Sequence, residues 1–171
     1  GSLNNHWGLP LSLARMVGDE QFGVFEMGMN HPGEITPLSL LARPHTALIL
    51  TVEAVHSAFF GGIEDIADAK AEVFAGLETG GVAVLNRDNH QYGRLSAAAR
   101  KRGVGSIVTF GAHPEADVRV IETQLRPTGS RVAATVAGAS LSYEIGIAGR
   151  HWVTNSLAVL AVVEAIGGGV A

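Results

Sequence analysis

The sequence predicts an α/β domain: a mostly parallel sheet flanked by helices, with a small antiparallel three-strand meander near residues 117–147. Three observations predict it. Helical and strand-like patterns alternate from Leu9 to Phe110, the signature of strands joined through crossover helices. The strand-like runs TALILTV (46–52) and VAVL (82–85) are continuously apolar, as strands covered on both faces are. Beyond Phe110 the texture changes to partial period-2 alternation, interrupted by turn residues.

Each element follows from local pattern. Residues 9–17 have helical spacing, with Pro10 suited to a first turn. Residues 22–27 read as a buried strand, and 34–42 as a short helix closed by Arg43-Pro44, since a residue before proline avoids helical geometry. Residues 46–52 form the next strand. Over 63–77, Ile63, Ile66, Ala67, Val73, Phe74 and Leu77 make one apolar helical stripe, which Gly80-Gly81 terminates. Strand 82–85, an Ala- and Arg-rich helix over 91–102 and strand 106–110 complete the alternating part. Segments 117–124, 130–137 and 140–147 are separated by Pro127-Thr128-Gly129 and Ala137-Gly138, as in a meander. The last helix, 152–166, is apolar nearly all round and is expected to be largely buried. No internal repeat or low-complexity linker occurs.

The 171 residues are 47% hydrophobic and 16% charged, which suits one domain with a substantial core. A net charge of -4 offers no electrostatic footprint for nucleic acid. With no cysteine, disulfides and thiolate metal sites are excluded. No apolar run reaches the about 18 residues of a membrane span, and a cytoplasmic setting is the expectation.

Ligands of parallel α/β sheets gather beyond the carboxyl ends of the strands. Glu26 falls at such an end, flanked by Phe25 and Met27 and followed by Gly28, Asn30, His31, Pro32 and Gly33. His56 follows strand 46–52, and Asn86-Arg87-Asp88-Asn89 follows strand 82–85. Lys70 lies on the helix leaving the His56 loop. Each also has a plainer reading: Glu26 as a helix-capping carboxylate, His56 as a hydrogen-bonded loop histidine, Lys70 as a solvated lysine beside Asp68 and Glu72, and 86–89 as a turn. Composition and spacing therefore stop at an oxygen- and nitrogen-ligand divalent-metal site, with magnesium or manganese favoured near phosphate.

Four stretches carry a resemblance to a known family: NNHWGLPLSL (4–13), EMGMNHPGEI (26–35), VHSAFFGGIEDIADAKAEVF (55–74) and GRHWVTNSLAVLA (149–161). In this order they resemble the central, ATP-binding domain of the Mur ligases, over essentially the whole chain. Within the family the resemblance is closest to the branch that adds D-alanyl-D-alanine (D-Ala-D-Ala) to the UDP-MurNAc-tripeptide. It implies a P-loop-NTPase-like, Rossmann-like domain, with ATP and Mg2+ as cofactors and those two substrates as partners. Glu26 matches the family's magnesium-binding glutamate, His56 the histidine ligand of a second magnesium, and Lys70 the lysine these ligases carry as a carbamate. An ammonium repels a metal, whereas a carbamate presents an anionic oxygen to it. Asn155 matches the asparagine at the adenine ring, with His151 beside it, and Asn5 the early Asn-rich nucleotide motif. Asn86 and Asp88 correspond to an Asn-x-Asp loop and receive no role.

The sequence also departs from the family. The glutamate common soon after the histidine is replaced by Ser57, Ala58 and Phe59, and Trp152 stands where asparagine is frequent. No Gly-x-x-Gly-Lys-[Ser/Thr] phosphate loop occurs. Residues 3–171 are accordingly expected to be a central-domain fragment lacking the P-loop and the flanking UDP-binding and C-terminal domains, with Gly1-Ser2 an expression scar, and to be inactive alone. The rival readings are another Mur-type or folylpolyglutamate-type amide ligase, and a non-catalytic nucleotide-binding module.

Overall fold

The structure, a computed structural model, describes residues 3–54 and 59–169. The elements are α1 (Gly8–Ala14), α2 (Ile35–Ala42), β1 (Thr46–Ile49), α3 (Ile63–Ala71), a 3-10 turn (Glu72–Gly76), β2 (Val82–Asn86), α4 (Tyr92–Lys101), β3 (Ser106–Gly111), β4 (Val118–Arg126), β5 (Gly129–Val136), β6 (Ala139–Ile145) and α5 (Arg150–Ala165). All six strands join one sheet in chain order. Strands β1 to β4 are parallel. Strands β5 and β6 turn back antiparallel, so the meander extends the same sheet.

Alternation along the strands sends side chains to two separate cores. On one face Ala47, Ile49, Ala83 and Leu85 meet Ile66, Ala67, Phe74, Leu95 and Ala99 from α3, the 3-10 turn and α4. On the other, Val84, Phe110, Val118, Val132 and Val136 meet Val153, Leu157, Ala158 and Ala161 of α5. The α2 helix ends as expected: Arg43 is left-handed (φ 47°) and its amide reaches the Ser39 carbonyl, just before Pro44.

Four expectations need correction. Residues 22–27 are not a strand: Val24 is 97% and Phe22 68% exposed, and no described strand pairs with them. An apolar run becomes a strand only where a neighbour completes its ladder of hydrogen bonds. Strand β1 ends at Ile49, and Leu48 and Leu50 stay 36% and 40% exposed, so β1 is covered on one face rather than two. The helix expected over 63–77 is α-helical only to Ala71 and then tightens into the 3-10 turn. There α2 packs closely: a Cβ on Gly76 would lie 2.0 Å from the Ser39 carbonyl oxygen. Helix α5 buries one stripe only, and Val159 on its outer side is 60% exposed.

Candidate functional site

Glu26 is exposed, and its Oε1 accepts a 2.8 Å hydrogen bond from Asn4 Nδ2. The Gly28 amide donates to the Asn4 carbonyl at 2.7 Å. Gly28 fits because a Cβ there would come within 2.7 Å of Asn4 Nδ2. One Glu26 oxygen is thus committed to orienting the carboxylate, and the other has no partner among the described residues. Asn5 is used differently. Its Oδ1 accepts from the Trp7 and Gly8 amides at 3.0 and 2.9 Å, closing the turn into α1. Nothing in the sequence marks Asn4 for this role beyond the Asn4-Asn5 doublet.

The segment after Glu26 is organised by two carboxylates. Glu34 turns back to accept from the Asn30 and His31 amides and pairs with His31 Nδ1 at 2.9 Å. These donors hold its carboxyl at about 2, the Asn30 amide contributing most. Glu72, from the 3-10 turn after α3, accepts from the Gly33, Ile35 and Thr36 amides and the Thr36 hydroxyl at 2.5 to 3.1 Å. Helix α2 has no cap from its own N-cap side chain, and Glu72 supplies one from 36 to 39 residues away. The expectation that Glu72 sits beside Lys70 as a solvated charge is therefore corrected: it is half-buried and multiply bonded. Nothing local in the sequence marks so distant a partner.

Lys70, near the end of α3, is half-buried, and burial pushes its ammonium below the ordinary lysine range. Among the described residues no carboxylate pairs with it; Asp68 is engaged by Arg94 at 2.9 Å. The plain reading of a solvated lysine does not hold. His56 lies outside the described residues. The first described residue after it, Phe59, rests against the His31 ring with centroids 4.7 Å apart.

Beyond β2, the Asn-x-Asp loop ties three strand ends together. Asn86 Nδ2 donates to the Leu50 carbonyl and Asn86 Oδ1 receives the Asp88 amide. Asp88 accepts from the Ala112 and His113 amides after β3, and Asn89 reaches Thr51 and Val52 after β1. These bonds shape the carboxyl edge of the sheet.

Asn155 and His151 lie on α5, on the face opposite α3 and α4. Asn155 is half-buried and has no side-chain hydrogen bond among the described residues; His151 is exposed in the first turn with its ring 5.4 Å from that of Trp152. No hydrogen bond joins this pair to Glu26 or Lys70. Among the described residues no three His, Cys, Asp or Glu side chains converge as a ready-made metal cluster, and no helix is long and apolar enough to cross a membrane.

The family model described as the Mur ligase middle domain matches residues 1–163. The UDP-N-acetylmuramoyl-tripeptide–D-alanyl-D-alanine ligase of Rickettsia prowazekii is 29% identical over 98% of this chain, which spans 37% of that protein. The MurF crystal structure from Acinetobacter baumannii superposes with a TM-score of 0.92 at 30% identity, over 99% of this chain and 36% of that one. MurF ligase from Thermotoga maritima, solved in complex with ADP, shares the fold at TM-score 0.85 and 24% identity, over 100% of this chain and 39% of its own. The chain thus spans about a third of the length of the relatives it matches.

Proposed function

The chain belongs to the Mur ligase middle-domain family, and from that premise we propose that it is the central domain of a cytoplasmic, ATP-dependent ligase of peptidoglycan synthesis. The parent joins D-Ala-D-Ala to a UDP-MurNAc-tripeptide through an acyl phosphate. The observation that carries the chemistry is Lys70: a half-buried lysine, unpaired among the described residues, on the helix whose end is bonded to the loop that follows Glu26. Burial without a counter-charge favours the neutral amine, the form whose nitrogen lone pair attacks carbon dioxide. The new N–C bond leaves a carbamate once the nitrogen proton passes to water.

The donor set fits magnesium. Oxygen ligands are what a hard cation takes, and one Glu26 oxygen is unengaged while Asn4 fixes the other. Glu26 would hold one magnesium and His56 a second, with a carbamate on Lys70 presenting an anionic oxygen to the metal. Bound there, it offsets charge on the transferring phosphoryl group and on the acyl phosphate. Asn4 orients the Glu26 carboxylate; Asn155, with His151, receives the adenine; Asn5 shapes the turn beside Asn4. Residues 3–171 are read as this central domain, and the phosphate-cradling glycine loop is assigned to another part of the parent, since no such string lies within these 171 residues.

The experiment is an acceptor panel. Full-length parent, ATP and UDP-MurNAc-tripeptide are assayed with D-Ala-D-Ala, D-glutamate and diaminopimelate as amines. Phosphate release and product formation with D-Ala-D-Ala alone is the expected result. Turnover with a single amino acid instead assigns the chain to another branch of the family.

A further inference from the structure

We propose that Glu72 is a positioning residue that locks the 30–36 loop onto the helix end carrying Lys70, so that the two halves of the proposed metal site keep one relative position. The inference rests on the ligase reading above and adds to it a residue with no contact to substrate or metal.

The geometry is specific. Glu72 stands two residues after Lys70, at the first position of the 3-10 turn. Both of its oxygens are spent on the loop and the first turn of α2. The same seam is closed further along: Ser39 Oγ donates to the Val73 carbonyl at 2.5 Å and receives the Gly76 amide at 3.0 Å. The Glu26 side of the loop is fixed separately, through Asn4 and through Met29, which packs against the core formed by α3 and α4. Glu34 closes the loop on itself but reaches nothing on α3. Among the described residues Glu72 alone provides side-chain hydrogen bonds between residues 30–36 and the Lys70 helix end. Without it, Gly33, Ile35 and Thr36 lose their acceptor, and residues 30–36 keep their own shape while the seam is left to the Ser39 bonds further along and to packing.

Two arms test this. In the first, amide hydrogen exchange is followed on this chain without metal, comparing wild type with Glu72→Gln and Glu72→Ala. Protection of Gly33, Ile35 and Thr36 is expected to fall about tenfold or more in Glu72→Ala, the factor that losing hydrogen bonds to a charged group implies, while β2 and α5 keep theirs. Glu72→Gln, which keeps the shape and one acceptor oxygen, is expected to fall between, and it serves alone if Glu72→Ala does not fold. Unchanged protection overturns the clamp. In the second arm, full-length parent carrying Glu72→Gln is assayed against magnesium concentration. The midpoint is expected to rise roughly tenfold, as for loss of a residue that orients metal ligands. A lower maximal rate with an unmoved midpoint reports a smaller folded fraction and overturns the positioning role. If wild-type parent ligates no amine, the ligase reading fails by itself, and the exchange arm still decides whether Glu72 holds the loop.

Discussion

Lys70 sits where an ammonium is disfavoured, and desolvation is the sole cause of its lowered pKa. Its folded-state pKa lies below the ordinary 10.5, so the penalty is full below the folded value and is relieved as pH rises from there toward 10.5. Lys70→Met is therefore expected to raise the melting temperature of this chain at pH 7 and to remove the alkaline rise in stability; a lower melting temperature contradicts the burial of the ammonium. Glu34 has the opposite sign. Its carboxyl is depressed from 4.5 to about 2, so its contribution is complete above 4.5 and is lost as pH falls through about 2. A carboxyl-carbon NMR titration should place its midpoint near that value, and a midpoint at 4.5 would show the Asn30 and His31 bonds to be absent in solution. At this scale the sequence was partly legible. Glu26 is legible as a carboxylate within an apolar run, whereas Lys70, set between Asp68 and Glu72, is marked only as the single lysine of its helix and by the family resemblance. Asn4 and Glu72 are not legible, because their meaning lies in partners 22 and 36 to 39 residues away.

Among the elements, those legible in sequence are the ones whose periodicity is answered by a neighbour. Strands β2 and β3 lie inside the sheet with helices on both sides, and their apolar runs fall where expected. Residues 22–27 carry the same kind of run yet have no described strand to pair with, and β1, at the sheet edge, leaves Leu48 and Leu50 exposed. Helix α5 reads as apolar all round because sequence cannot say which stripe the sheet will take. The structure chooses Val153, Leu157, Ala158 and Ala161. Leu157→Ala should therefore destabilise this chain by about 2–5 kcal/mol. Val159→Ala, on the outer side of the same helix, should stay within about 0.5 kcal/mol. Denaturant unfolding of both variants checks this, and equal losses would mean that the outer stripe is also packed.

In the molecule as a whole, the sheet separates the residues proposed for the metal from those proposed for the adenine. The face covered by α3 and α4 carries Lys70 and, through Glu72, the loop after Glu26; the face covered by α5 carries Asn155 and His151. The Asn86–Asn89 loop binds the ends of β1, β2 and β3 at the shared carboxyl edge. The fold class and the alternation of elements could be read from pattern alone, whereas the division of the candidate site residues between faces required the strand register. The proposed role of Glu26 and Lys70 is to act on charge in the reaction rather than on the fold. Its most direct test is turnover of full-length parent carrying Glu26→Ala or Lys70→Ala, with ATP, UDP-MurNAc-tripeptide and D-Ala-D-Ala, measured beside thermal unfolding. A fall in kcat of about 10²-fold or more is expected for each, with melting temperatures within a few degrees of wild type. Wild-type turnover in both variants, or losses that merely track unfolding, would contradict it.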